Sequence, residues 1–296
     1  MKEQLVQRRT LVQGISTVYY QAGEGPVVLL IHGNVTSPRD WWPTMKDLAS
    51  TNRVIALALP GYGDTSPLDD IGAERLVAFV KAFLDELGVE QVIAVGHSLG
   101  GQLVTQLALA HPDRVARLVL ANASGLGHTV NPIVIATGLV PRPLAELMIT
   151  ALLMPGGGIA RVLVSGLQLR RPWNISLRIL LEQIRLTHRR SFLRTSYEVV
   201  RVGVGLTGQR MGRDLVRRLG EIQVPALVIW SVTDQMFPLW QGIFAARRLP
   251  RGSLAIIYGA GHVTYIDSYQ QFIDVLGPFV RDVPRGDDPD SAGTLH

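Results

Sequence analysis

Val92-Ile93-Ala94-Val95, running straight into Gly96-His97-Ser98-Leu99-Gly100, decides the reading of this chain. The first four residues form a short, largely β-branched apolar run of the kind that makes a fully buried strand. Behind the motif comes Gly101-Gln102-Leu103-Val104-Thr105-Gln106-Leu107-Ala108-Leu109-Ala110, which has helical composition and ends near His111-Pro112. A strand, a sharp turn and a helix is the setting in which Gly-x-Ser-x-Gly becomes a nucleophile elbow. The turn demands strained dihedrals of Ser98, and the flanking glycines let the chains pass without Cβ clashes. A serine placed there points its hydroxyl into a cleft at the top of a sheet.

Serine alone is a weak nucleophile, so the motif calls for a histidine base and a carboxylate to orient it. In this architecture the order is Ser, acid, His, each just past a later strand. Pro225-Ala226-Leu227-Val228-Ile229-Trp230 reads as a strand, and Asp234 in the loop behind it is the candidate acid. Ser253-Leu254-Ala255-Ile256-Ile257-Tyr258 reads as another, and Gly259-Ala260-Gly261-His262 behind it offers His262 as the base. The remaining histidines fit less well. His97 precedes the serine and points away, His111 sits at a helix end, His128 and His188 fall in the middle of the chain, and His296 is the last residue. Val27 to Ile31 is a further apolar strand, running into His32-Gly33-Asn34. Acyl transfer creates an oxyanion that two backbone N–H groups usually hold. Leu99, at the start of the helix, and Asn34 are the expected donors, and His32 is read as holding its loop by hydrogen bonds.

These pieces together resemble the α/β-hydrolase superfamily, in its branch of capped, lipase- and esterase-like serine hydrolases. The resemblance rests on His32-Gly33-Asn34, Pro60-Gly61-Tyr62-Gly63-Asp64-Thr65-Ser66, Gly96-His97-Ser98-Leu99-Gly100-Gly101, Asp234 and Gly261-His262. It extends over roughly residues 10 to 281 and implies an eight-stranded, mostly parallel α/β sheet with helices on both faces. Dehalogenases and epoxide hydrolases of this superfamily carry an aspartate as nucleophile, and Ser98 argues against both. Some members place the acid after the strand read at 115–121, where this chain has Asn122-Ala123-Ser124-Gly125, so Asp234 keeps the role.

Strands are expected near 5–12, 15–21, 26–32, 53–59, 91–97, 115–121, 225–231 and 253–258. Helices are expected near 41–50, 70–88, 99–111, 239–248 and 265–281. Alternation of this kind gives a parallel sheet covered on both faces. Residues 126–219 break the alternation and read as several apolar helices, which the resemblance makes a cap over the site. Residues 1–125 and 220–282 then form the core domain. The Pro/Gly-rich polar tail, 283–296, is expected to be disordered.

The chain has 296 residues and no cysteine, which excludes a disulfide framework and a thiolate metal site. Met1-Lys2-Glu3-Gln4-Leu5 lacks the apolar run of an export signal, so a cytoplasmic location is expected. The segment 126–219 holds fourteen arginines and four acids, Glu146, Glu182, Glu198 and Asp214, although the chain's net charge is only +5. A solvated helical face accounts for this most simply; steering of anions or contact with anionic lipid are the alternatives. No nucleic-acid recognition motif accompanies the charge. Residues 132–154 are apolar but interrupted by Pro132, Pro141, Arg142, Pro143 and Glu146, which excludes a transmembrane span and leaves peripheral membrane contact open. The expected activity is hydrolysis of a small-molecule ester with an apolar acyl group, needing no metal or organic cofactor. Trp41, Trp42, Met236, Phe237 and Val263 are candidate pocket residues by their nearness to the catalytic loops. Cleavage of a C–C bond, lactone or amide, perhydrolysis, and a binding or lipid-surface role with little turnover are the other readings of the same framework. The oligomeric state is not legible.

Overall fold

The computed structural model describes residues 5–155, 157, 169–210 and 212–281. The expected tail and residues 158–168 of the middle segment lie outside them. Ten strands are present among the described residues: β1 (Val6–Val12), β2 (Ile15–Ala22), β3 (Val27–Ile31), β4 (Arg53–Leu57), β5 (Val92–His97), β6 (Val115–Ala121), the short β7 (Val204–Gly205) and β8 (Gly208–Gln209), β9 (Ala226–Ser231) and β10 (Gly252–Ile257). Eight of them build one sheet in the order β1-β2-β4-β3-β5-β6-β9-β10. The β1–β2 and β2–β4 pairs are antiparallel, and every other pair is parallel.

Strand β3 shows why the sheet is sandwiched. Val27-Val28-Leu29-Leu30-Ile31 has no polar alternation, as a strand buried on both faces requires. Leu29 and Ile31 face one core, with Phe79 and Phe83 of α2 (Ala73–Glu86), Leu103 and Leu107 of α3 (Leu99–Ala110) and Ala245 of α9 (Leu239–Arg248). Val28 and Leu30 face the other, with Met45 and Leu48 of α1 (Trp42–Leu48) and Phe272 and Leu276 of α11 (Tyr269–Arg281). The helix expected over 265–281 is interrupted at Ser268, whose φ of −138° and ψ of 56° end the one-turn α10 (Thr264–Asp267) before α11 begins.

Parallel pairing sets the site. The register places Ile31 beside Gly96, His97 beside Ala121, Ala121 beside Ile229 and Ile257 beside Ser231. The loops after β3, β5, β6, β9 and β10 therefore leave from one edge of the sheet, where open α/β folds bind their ligands.

Between β6 and β9 the chain leaves the sheet. Its described helices are α4 (Pro132–Leu139), α5 (Arg142–Leu153), α6 (Leu177–Thr187), α7 (Arg190–Gly203) and α8 (Gly212–Arg218). No single described helix is long and apolar enough to cross a membrane. Polar contacts fasten α6 and α7 to the sheet domain. Arg185 forks onto Asp64 at 2.9 and 3.2 Å, Arg189 reaches the same carboxylate at 2.7 Å, and Glu182 pairs with Arg39 at 3.3 Å. Gln183 donates to Asp40 at 3.1 Å, and the Ser37 N–H donates to the same oxygen at 2.9 Å. Burial pushes the Asp40 carboxyl up to about 7, and the nearby Glu182 charge adds to the rise.

Folded Asp40 thus keeps its proton to near neutrality, whereas the unfolded residue releases it near 3.8. Its contribution to stability is full below the unfolded value and is lost as pH rises through about 7. Asp40→Asn removes this dependence. Measured by urea denaturation at pH 5 and pH 8, the variant is expected to gain roughly 2 kcal/mol relative to the native chain on going to the higher pH. Equal pH slopes in the two proteins would show that Asp40 is ionised throughout.

Candidate active site

Ser98 stands between β5 and α3 with φ 52° and ψ −117°, a left-handed conformation that costs a non-glycine residue energy. Its surroundings hold it there. Its N–H donates to the Ala121 carbonyl at 3.1 Å, and its own carbonyl accepts from Gln102 and Ser124 at 3.2 and 3.0 Å. The flanking glycines are required by backbone contact. A Cβ on Gly96 would lie 2.3 Å from the Gly100 carbonyl oxygen, and one on Gly100 would lie 2.2 Å from that of Ile31. A Cβ on Gly33 would lie 2.9 Å from the Ser98 Cβ. Four non-glycine residues among those described have positive φ, and three of them, Val35, Ser98 and Asn122, follow β3, β5 and β6 at this edge.

The structure brings Asp234 and His262 together, both essentially inaccessible to solvent. His262 Nδ1 is 3.1 Å from each Asp234 oxygen. The Met236 and Phe237 N–H groups donate to Asp234 Oδ1 at 2.7 and 3.1 Å, and Asn122 Nδ2 donates to Oδ2 at 2.7 Å. The loop carrying the acid is tied to the loop carrying the histidine: Ser231 Oγ and Thr233 Oγ1 both donate to the Ala260 carbonyl. His262 is in turn tied to the elbow, since His97 Nε2 donates to its carbonyl at 3.0 Å and the two rings lie 4.8 Å apart.

His97 and His32 are both buried and both neutral. A carbonyl only accepts, so the His97 proton is on Nε2; its Nδ1 faces the Tyr265 hydroxyl at 3.4 Å. Burial holds its pKa well below the usual value. His32 donates from Nδ1 to the Gly33 carbonyl at 2.8 Å and accepts from the Leu59 N–H at 3.1 Å, while burial lowers it to about 4. It joins the loop after β3 to the end of β4 and holds no free nitrogen.

Asn34 has its side chain committed elsewhere. Oδ1 accepts from the Val35 N–H at 2.9 Å and the Tyr62 hydroxyl at 2.6 Å, and Nδ2 donates to the Ser196 carbonyl of α7 at 3.0 Å. Only its backbone N–H is left for an oxyanion. Leu99 is the first residue of α3, so its N–H has no acceptor within the helix.

Among the expected pocket residues, Phe237 meets His262 edge-on at 5.3 Å, and Met236 packs beside the same core. Trp41 belongs elsewhere: it is wholly buried and stacked on Tyr265 at 3.9 Å, within the core under α11. Val263 is buried in that core too. Trp42 carries Arg178 of α6 over its ring at 4.2 Å and so joins the middle segment to α1. No group of His, Asp and Glu suited to a metal ion occurs among the described residues.

Two residues at the site were not singled out from sequence. Asn122 supports the acid. Asp267, wholly buried, accepts from the Gly261 N–H at 2.6 Å and from the Arg170 and Arg171 N–H groups at 2.9 and 3.0 Å. One carboxylate thus anchors both the histidine loop and the middle segment. Its place five residues behind His262 was the available signal.

A family model described as the alpha/beta hydrolase fold matches residues 26–140. An uncharacterized protein of Mycobacterium tuberculosis is 31% identical over 278 residues, covering 91% of this chain and 79% of its own. The 2-hydroxymuconate semialdehyde hydrolase of Pseudomonas sp. (strain CF600) is 27% identical over 93% of this chain and 94% of its own. In structure, the meta-cleavage product hydrolase from Pseudomonas fluorescens IP01 superposes with a TM-score of 0.74 at 21% identity, covering 92% of this chain and 96% of that one.

Gly100→Ala tests the backbone contact. With its Cβ 2.2 Å from the Ile31 carbonyl oxygen, the variant must separate β3 from the elbow. Urea denaturation is expected to show a loss of at least about 2 kcal/mol, whereas an ordinary Gly→Ala change in a helix gains up to about 1 kcal/mol.

Proposed function

The chain belongs to the α/β-hydrolase family, and from that premise we propose that it is a serine hydrolase cleaving carboxylic esters of apolar acyl groups. The observation that carries the reading is the buried Asp234–His262 pair, hydrogen-bonded through the His262 carbonyl to the residue preceding the strained Ser98. Asp234 fixes His262 with Nδ1 toward the acid, which leaves Nε2 to take the Ser98 proton as Oγ attacks the carbonyl carbon. The Leu99 and Asn34 N–H groups hold the resulting oxyanion, aided by the positive end of α3. Collapse expels the alcohol, which takes the proton from His262. The same nitrogen then draws a proton from water as the hydroxide adds to the acyl carbon. Collapse breaks the bond to Ser98 Oγ, which takes the proton back from His262 as the acid leaves.

Residues 126–219 act in this reading as a cap over the site. Support comes from Ser196 of α7, whose carbonyl accepts from Asn34, and from Thr195, packed so closely on Gly61 that a Cβ there would lie 2.2 Å from Oγ1. The polar groups flanking Ser98 are neutral and already paired, while Phe237 lies against His262. That balance supports an apolar acyl group.

The relative named for 2-hydroxymuconate semialdehyde supports a second reading. That name contains no ester, and the same Ser98 and His262 would then serve hydrolysis of a carbon–carbon bond.

Initial rates on p-nitrophenyl esters from acetate to palmitate separate the two. The native chain is expected to turn over with a chain-length optimum, and Ser98→Ala to lose about a thousandfold or more with its melting temperature kept. A well-folded native chain inert on every ester but active on 2-hydroxymuconate semialdehyde would replace the ester reading with the carbon–carbon one. Inertness on both would leave a binding role.

A further inference from the structure

Helices α4 and α5 turn a large apolar surface outward. Seven of the eight residues of α4, Pro132-Ile133-Val134-Ile135-Ala136-Thr137-Gly138-Leu139, lack a polar side chain, yet only Gly138 is buried. The helix is attached through half-buried Val134 and Ile135, packed against the core, and through Gly138, where a Cβ would lie 3.3 Å from the Val200 carbonyl oxygen of α7. Helix α5 buries Ala145 and Ile149 and turns the opposite side out, leaving Leu147 66% and Met148 50% exposed. The two helices bend by 108° across Val140-Pro141, and Ile133, Leu139 and Leu144 are exposed on them as well. Domains that meet only water seldom leave so many large apolar side chains exposed on two successive helices.

The charges around it are layered. Arg142 pairs with Glu198 at 2.9 Å, and Arg190 and Arg194 pair with Glu146 at 2.9 and 2.5 Å. Arg201 also reaches Glu198, so four arginines surround two glutamates. The cations lie outermost: side-chain exposure is 65% for Arg142 and 57% for Arg194, against 20% for Glu198 and 34% for Glu146. The whole segment 126–219 has fourteen arginines and four acids in a chain whose net charge is +5.

We infer that this face docks on an anionic lipid bilayer, with α4 and α5 lying in the headgroup layer and the arginines meeting lipid phosphates. An apolar surface rimmed by outward cations matches an interface that is apolar below and negative above. A second copy of the chain is a poorer occupant, because face-to-face packing would oppose two arginine rims. Helix α5, the longer of the two, is 12 residues and so about 18 Å long, too short for a hydrocarbon core of about 30 Å. The helices therefore lie on the membrane and do not cross it. The inference is independent of which bond Ser98 attacks.

The test is flotation of the full chain with phosphatidylcholine vesicles, with and without an equal share of phosphatidylglycerol. Binding is expected to the mixed vesicles, to be at least tenfold weaker on pure phosphatidylcholine, and to weaken as salt rises from about 0.05 to about 0.5 M. Leu147→Glu with Met148→Glu is expected to weaken it by a further factor of about ten or more with the melting temperature unchanged. Leu147→Ser with Met148→Ser serves as the milder pair should the charged one destabilise the helix. Absence of flotation with the anionic vesicles overturns the inference. So does equal binding to both vesicle types, or binding that either variant leaves intact. Concentration-dependent self-association abolished by the same variants, without flotation, would give the face to a second copy instead.

Discussion

Everything at the candidate site depends on how closely the end of β3 approaches the turn from β5 into α3 around Ser98. Gly100 leaves no room for a side chain against the Ile31 carbonyl, nor does Gly96 against Gly100 or Gly33 against Ser98. The Gly96 and Gly100 contacts are with main chain, so no rotamer change relieves them, while Gly33 abuts the His97 ring and the Ser98 Cβ. They force Ser98 to φ 52°, and hydrogen bonds to β6 and the loop after it hold it there. Strain that the surrounding structure over-determines is stable strain. Val35 and Asn122, also at positive φ, show that the neighbouring strand ends share the burden.

Around that point the polar groups form a hydrogen-bonded frame. Neutral His97 spans from the elbow to the His262 carbonyl, and neutral His32 spans from β3 to β4. Asp234 receives Asn122, Met236, Phe237 and His262; Asp267 receives Gly261 together with Arg170 and Arg171. Buried donors and acceptors left unpaired are costly, and a site built this way moves little. The frame also reaches into the middle segment through Asn34, Asp40, Asp64 and Asp267. The helices above and the loops below therefore share anchors.

How much of this was legible in the sequence follows from distance along the chain. Strands β3 to β6 and β9 are short apolar runs bounded by turn residues, and each of these, like β1, β2 and β10, stands within two residues of its expected limits. Gly-x-Ser-x-Gly is local as well, which is why the elbow could be read from nine residues. The contacts that were missed are not local. Asn122 and Asp234 are 112 residues apart, Asp267 and Arg170 are 97 apart, and Asn34 and Ser196 are 162 apart. No periodicity reports such pairings. Trp41 illustrates the converse: its neighbourhood in sequence suggested a pocket, but its ring found Tyr265 in the core. In the middle segment the composition announced helices, while their limits and attachments were set by arginine–carboxylate pairs that composition does not order.

The glycine contacts at the elbow also govern when chemistry becomes possible during the life of the chain. Gly33 follows β3, whereas Gly96 and Gly100 stand in β5 and α3 more than sixty residues later, and the histidine loop arrives from the far end of the sequence. Until β3 lies beside β5 nothing compels Ser98 into its left-handed turn, and until β10 is added the proposed base, His262, is not in place. A nascent or partly unfolded chain therefore displays an ordinary serine hydroxyl, inert toward the acyl compounds of its surroundings. On the proposed mechanism, reactivity is a property of the last assembled state, and the fold protects its own precursors from premature acylation.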